Sequence, residues 1–253
     1  MPGKVDETRM NQSYLECNNI SFRYEKGRDI VKDVSFRANT QESIGLIGAN
    51  GVGKSTLLRI LVGLELNFEG EVSVDQILVN KKNLSQVRSR LGYLFQDSEN
   101  QLFTSSVYQD VAFALRNDNL DQKLIEERVM EALETVNIAH LKDNKVYKLS
   151  GGEKKLASIA TILAMKPKLL LMDEPTIALD PKNRRTLIQT LNKLDYIKLI
   201  ASHDLDMVLE TCNRVILLSE GQIVADDTAE KILTNQELLE RHGLELPLCM
   251  GRR

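Results

Sequence analysis

Residues 48–55 read GANGVGKS, which fits the spacing G-x-x-x-x-G-K-[ST], and no other stretch of the 253-residue chain restricts the possible folds as much. The pattern carries weight only between a strand and a helix. Here the apolar run SIGLIGA precedes it at 43–49, and a helical pattern runs from Lys54 to about Leu64. Gly48, Gly51 and Gly53 let the backbone turn so that consecutive N–H groups, within a loop that also holds Asn50 and Thr56, face one anion. Lys54 is then placed to reach the β- and γ-phosphates of a nucleotide, and Ser55 to ligate Mg2+.

The text around this loop alternates in a way that builds a sheet covered on both faces. From Leu15 to about Gln41 apolar and polar residues alternate with period two, the mark of half-buried antiparallel strands. A strand pair is expected around GEVSVDQILV, and a short strand in LGYLF, before Gln96. Between Gln96 and Ser150 the pattern turns helical, with Ile125, Val129, Leu133 and Val136 on one face. After Ser150 strand and helix alternate: helix to Met165, strand KLLLMD, helix from Pro181, strand KLIAS, helix from Asp204, then strands RVILLSE and QIVAD. Uniformly apolar strands alternating with helices imply a parallel sheet buried on both sides.

Three strand ends then carry chemistry. KLLLMDEP delivers two acids, Asp173 suited to holding Mg2+ through its water shell and Glu174 suited to taking a proton from an attacking water. His203 follows KLIAS, so a parallel sheet presents it on the same edge, where it is expected to sense the γ-phosphate and orient Glu174 or the water. Gln96 closes LGYLF beside the helical stretch, able to touch Mg2+ or the water, and Tyr24 offers a ring for an adenine to stack on. A second phosphate-friendly corner reads LSGGE from Leu149: Ser150 and Glu153 satisfy a capping box, while Gly151 and Gly152 cost helix stability and fill no capping need. Small residues there suit the close approach of a second nucleotide. His140 and His242 lie in turn-like text and are expected to be structural.

Bulk properties exclude several classes. A net charge of −3 gives no basic excess, so no nucleic-acid partner is expected. Cys17, Cys212 and Cys249 form no CxxC and have no histidines at ligand spacing, which suits reduced thiols in the cytosol. No apolar run approaches the ~20 residues that cross a bilayer, and MPGKVDETRM has no signal-peptide core.

Taken in order, the loop at 48–56, Gln96, the LSGGE stretch, Asp173 with Glu174, and His203 closely resemble the ATP-binding subunit of ABC transporters, over about Leu15 to Asp227. The resemblance implies an α/β P-loop NTPase fold with a mostly parallel central sheet, an N-terminal antiparallel β subdomain and a helical insertion. It implies an ATPase domain over 1–227, its helical subdomain at about 97–165, and a short helical tail over 228–253. ATP and Mg2+ are the implied ligands, with Ser55, Gln96 and Asp173 around the metal. Lys54, Gln96, Glu174 and His203 are the implied catalytic set, and Glu174 is the base. Ser150, Gly151 and Gly152 are implied to complete the ATP site of a second subunit, with Asp180 as a cross-dimer contact.

Glu153 stands where that family has glutamine, and Ile177 where a smaller or polar residue is common; neither removes a catalytic group. Residues 95–114 look like the energy-coupling-factor and cobalt/nickel uptake type. That likeness implies a peripheral subunit on the cytoplasmic side of the cell membrane, a homodimer or a heterodimer with a related ATPase chain. An integral membrane subunit would dock near 97–114, and ATP would drive uptake of a vitamin or transition-metal ion. Asp97, Glu99 and Asp110 near Leu102, Phe103 and Val107 suggest an acidic-rimmed groove for a basic helix, whereas Val111 and Phe113 are expected only to pack the insertion. The rival readings are a soluble ABC-type ATPase without a membrane partner and a nucleotide-binding regulator without turnover.

Overall fold

The computed structural model describes residues 13–25, 27–97 and 100–251. Two sheets form. β1 (Ser13–Arg23), β2 (Asp29–Asn39), β4 (Glu69–Val74) and β5 (Ile77–Leu78) make an antiparallel sheet in the order β2-β1-β4-β5. The second sheet runs β10-β9-β3-β8-β7-β6, with β3 (Ser43–Ile47), β6 (Leu91–Leu94), β7 (Leu169–Asp173), β8 (Ile197–Ala201), β9 (Arg214–Ser219) and β10 (Gln222–Thr228). Its strands are parallel except β10, which returns antiparallel along β9.

The uniform apolarity of β3, β7 and β8 has a direct cause: every residue of each strand is buried. Alternate side chains enter two separate cores. Leu169, Leu171 and Leu199 pack with the antiparallel sheet and α1 (Lys54–Leu61). Leu170, Met172 and Ile200 pack with the helices of the other face. Full burial of each such side chain contributes about 1.5–3 kcal/mol, which holds these strands firmly in place. The antiparallel sheet is tied to the parallel one by Arg214, whose guanidinium grips Asp226 (2.6 and 2.7 Å) and donates to the Arg37 carbonyl (2.8 Å) and Glu42 (3.2 Å).

The stretch after β6 is helical, as expected, and its packing partner is clear. α3 (Val107–Asn117) and α4 (Gln122–Thr135) pack on α5 (Gly151–Ala164), which in turn lies on β6. A short helix that the sequence pattern does not announce, α2 (Leu84–Arg88), connects β5 to β6. α6 (Pro181–Lys193) and α7 (Leu205–Thr211) begin where expected, capped by Asp180 and Asp204. Beyond Thr228, α8 (Ala229–Leu233) and α9 (Gln236–Arg241) bury Ile232, Leu233 and Leu239 in the helical core. Cys17 and Cys212 are buried free thiols and Cys249 an exposed one.

Gly92 sets how closely α5 lies on the sheet. A Cβ there would collide with the Ile162 side chain and press on Leu170 and Pro167 at 3.2 Å. Gly92→Ala is therefore expected to lower unfolding free energy by about 1–3 kcal/mol, read from urea denaturation with an unchanged slope.

Candidate nucleotide site

The parallel register decides which residues meet. Leu46 lies opposite Ala201 across the β3–β8 pair, and Ala201 opposite Asp173 across β8–β7, so the loop after β3, the acids after β7 and His203 after β8 leave the sheet at one level. The link between the first two is a bond: Ser55 Oγ donates to Asp173 Oδ1 at 2.9 Å. Two oxygens of different chemical type thus converge, the hydroxyl and carboxylate pair that suits a hard divalent cation.

The phosphate loop is shaped by backbone that only glycine adopts easily. Gly48 and Gly53 have φ of 149° and 108°, and a Cβ on either would run into a carbonyl, that of Leu218 or of Ile30. Gly53 is also the N-cap of α1 and provides no side-chain cap, which leaves the first-turn N–H groups of that helix to a bound anion. Lys54 is buried and donates from Nζ to the carbonyls of Gly48 (2.7 Å) and Ala49 (3.1 Å), threading the loop. Burial pulls its pKa down, against the charges of Glu174 and Asp173. Burial raises the Asp173 carboxyl, the Ser55 hydroxyl opposes this and the Glu174 charge adds to it.

Glu174 sits in left-handed backbone (φ 48°), unusual for a residue with a side chain, and its N–H is held by the Ala201 carbonyl at 2.9 Å. Its carboxylate is buried. Oε2 lies 2.8 Å from His203 Nδ1 and accepts from the His203 N–H and the Ser202 hydroxyl, each at 3.3 Å. His203 and Glu174, far apart in the sequence, are therefore one unit. Next to them Arg184 forks onto both Asp204 oxygens at 2.7 and 2.8 Å, and Asp204 also caps α7 by accepting from the Met207 N–H.

Tyr24 is 40% exposed and stands edge-on to Phe22 (centroids 4.8 Å apart), its hydroxyl 3.4 Å from Thr56 Oγ1. The Arg59 charge lies close to Tyr24 and Tyr93; burial lifts the Tyr93 phenol to about 12, with the Asp173 charge acting the same way. Gln96 is exposed and lines a cleft of about 660 Å³ together with Asp173, Tyr93, Arg59 and Gly151. Asn50 and Gly51 are exposed at the loop's crest.

At the second corner the capping box forms: Ser150 Oγ accepts from the Glu153 N–H and Glu153 Oε2 from the Ser150 N–H (2.8 Å). Gly152 has a role within its own chain that the local pattern does not reveal, since a Cβ added there would lie 3.1 Å from Asn183 Nδ2 in the first turn of α6. Gly151 is exposed and faces the cleft. Asp180 caps α6, accepting from the Asn183 N–H at 2.9 Å.

The groove expected near 97–114 is corrected in detail. Leu102, Val107 and Asp110 are buried, and Asp110 turns inward to accept from the N–H groups of Phe103 (3.1 Å) and Thr104 (3.0 Å). Val111 packs the insertion as expected, but Phe113 does not: it is 43% exposed, edge-to-face with Phe103, itself 66% exposed, at 4.7 Å. The helix has only one inward stripe, and Phe113 falls outside it. Glu99 lies outside the described residues. Sequence reasoning also missed Lys155, fully buried, with Nζ on the carbonyls of Gln96 (2.6 Å) and Phe95 (3.2 Å). Its signal was positional: it falls in register with Gly152, Leu156 and Ile159 on the apolar stripe of α5. Burial drops its ammonium to about 8 against the pull of Asp173, Asp97 and Glu174.

Known proteins share this geometry and much of the sequence that builds it. The ABC transporter family profile matches residues 31–177. An ABC transporter ATP-binding protein of Geobacter sulfurreducens is 42% identical, the alignment covering 95% of this chain and 97% of that one. The energy-coupling factor transporter ATP-binding protein EcfA of Carboxydothermus hydrogenoformans is 39% identical over 93% and 88%. Among solved structures, cbiO1 from Clostridium perfringens, part of the ABC transporter complex cbiONQ, superposes with a TM-score of 0.79 at 33% identity, covering 90% of this chain and 94% of that one. The dimeric cassette MJ0796 bound to ADP and Pi also gives 0.79, at 26% identity over 85% and 98%. The chain belongs to the ABC transporter family, as an ATP-binding subunit with the fold and the ATPase activity of that family. Among the described residues no helix is long and apolar enough to cross a membrane.

The Arg184–Asp204 pair fixes a pH dependence. Burial acts to raise the Asp204 carboxyl, but the Arg184 fork, the Met207 N–H and Thr176 outweigh it, so the group titrates below its ordinary value. A depressed folded pKa adds stability that is complete above the unfolded value near ~3.9 and is lost as pH falls through the folded one. Asp204→Asn keeps the cap and loses the charge. It is expected to cost about 1–2 kcal/mol at pH 7, a gap that closes on acidification below about pH 4, followed by urea unfolding across that range.

Proposed function

We propose that this chain is the ATP-hydrolysing subunit of an ABC importer that takes up a vitamin or a transition-metal ion. It works as a homodimer, or with a related ATPase chain, beneath an integral membrane subunit on the cytoplasmic face. The observation that carries the hydrolytic part is the Glu174 carboxylate, held through Oε2 by His203 and Ser202, with only β8 between its strand and the one that leads into the phosphate loop. The importer reading is supported by the similarity to EcfA and to cbiO1 of the cbiONQ complex.

In this reading Tyr24 stacks on the adenine, and the N–H groups of 48–56 with Lys54 hold the β- and γ-phosphates. The bond between Ser55 and Asp173 marks a donor set that fits Mg2+, with Gln96 able to join from the cleft. Bound there, Mg2+ would neutralise charge developing on the phosphate oxygens. Glu174 accepts a proton from the water that attacks the γ-phosphorus as the bond to the leaving ADP oxygen breaks. His203 keeps the carboxylate aimed while Glu174's left-handed backbone turns it off the strand. Ser150, Gly151 and Gly152 close over the triphosphate of the other subunit, with Asp180 near the contact. The exposed Phe103–Phe113 pair is the docking patch for an amphipathic helix of the membrane subunit.

Two outcomes test this. Glu174→Gln is expected to keep ATP binding and a nucleotide-bound dimer while phosphate release falls about 10²- to 10⁴-fold; wild-type turnover in that variant would falsify the base. Phe103→Asp combined with Phe113→Asp is expected to preserve ATP affinity and abolish co-purification of membrane subunits from detergent extracts. Recovery of only soluble partners by the wild-type chain would overturn the membrane assignment.

A further inference from the structure

We infer that Lys155 and Gln101 are positioning residues that fasten the Gln96 loop to α5, so that the loop and the Ser150–Gly152 corner move as one piece. The inference rests on the roles proposed above for Gln96 and for that corner, and assigns the physical link between them.

Side-chain bonds from both directions make the link. From α5, Lys155 Nζ donates to the carbonyls of Gln96 at 2.6 Å and Phe95 at 3.2 Å. From the loop side, Gln101 Nε2 donates to the Ser158 carbonyl and to Thr161 Oγ1, both at 2.8 Å, while its Oε1 accepts from the Phe95 N–H at 3.4 Å. Phe95 is thus held at its N–H and its carbonyl by two different side chains, each anchored in α5.

A lysine is an odd choice for a core contact. Its ammonium is desolvated and meets neutral carbonyls, so a methionine or leucine of similar volume would serve packing alone better. What an ammonium adds is several donors aimed at backbone, independent of which side chain the loop carries. The loop carbonyls have exchanged the water they would otherwise face for one charged donor, so leaving α5 strands both the donor and the acceptors. Because Ser150 caps the same helix that carries Lys155 just over a turn further on, any displacement of the loop is passed to the corner through a single rigid rod. Gln101, Leu102 and Asp110 complete the fastening, with Leu102 buried and Asp110 holding the N–H groups of Phe103 and Thr104.

The test uses the full chain with Lys155→Met, Lys155→Arg and Gln101→Leu. Hydrogen exchange at the amides of Phe95, Gln96 and Asp97 is expected to quicken about tenfold in Lys155→Met and in Gln101→Leu, with α5 and β7 amides unchanged. Turnover should fall about tenfold with KM for ATP within about twofold, and Lys155→Arg should restore both. Unchanged exchange at these three amides, or equal quickening through α5 and β7, overturns the clamp. So does a matched change in KM and kcat, or an arginine variant no better than methionine. Should Lys155→Met not fold, Gln101→Leu decides alone. Because the exchange readout needs no turnover, it distinguishes a failure of the clamp from a failure of the ATPase assignment.

Discussion

The pairing of β3, β8 and β7 side by side and in parallel governs everything at the site, because it brings three distant stretches of chain out of the sheet at one level. Each strand is short and wholly buried, so none can slide in register without exposing leucines on one core and moving polar ends into the other. The rigidity of that register lets Ser55 meet Asp173 at 2.9 Å and Glu174 meet His203 at 2.8 Å without any flexible group making up the difference.

Around this edge the protein gathers charge that burial disfavours. Lys54 is pulled down and Asp173 raised by the same desolvation, and each is stabilised by neighbours rather than by water. Such an arrangement is tolerable because opposite charges sit close together and most donors have carbonyls or carboxylates to meet. The strained backbone at Glu174 belongs to the same arrangement: a glutamate held at φ 48° persists only because the Ala201 carbonyl and His203 over-determine it.

The helical face carries a different kind of order. α5 is long, lies flat on β6 over Gly92, and bears at its start the glycine corner and one turn later the buried Lys155. The aromatic pair Phe103 and Phe113 lies on the surface, Phe113 carried by α3, which itself packs on α5.

Much of this was legible in the residues alone. The phosphate loop, the two acids, the histidine after β8 and the glycine corner are local patterns, and local patterns survive without knowledge of the fold because their spacing follows from one turn or one strand end. The helical stretch and the alternation after Ser150 were readable for the same reason. Distance across the chain was not. That Gly152 also lies against α6 was invisible in the local pattern, and Phe113 looked like core until the inward stripe of its helix was seen to pass it by. Lys155 was passed over because a lysine in sequence is read as solvated, and only the close packing of α5 against the loop after β6 makes it a buried donor. Sequence determined which chemical groups are present and the local element that carries each. Tertiary structure decided which of them meet, because side-chain contact depends on sheet order and helix packing, both set by burial summed over the whole chain.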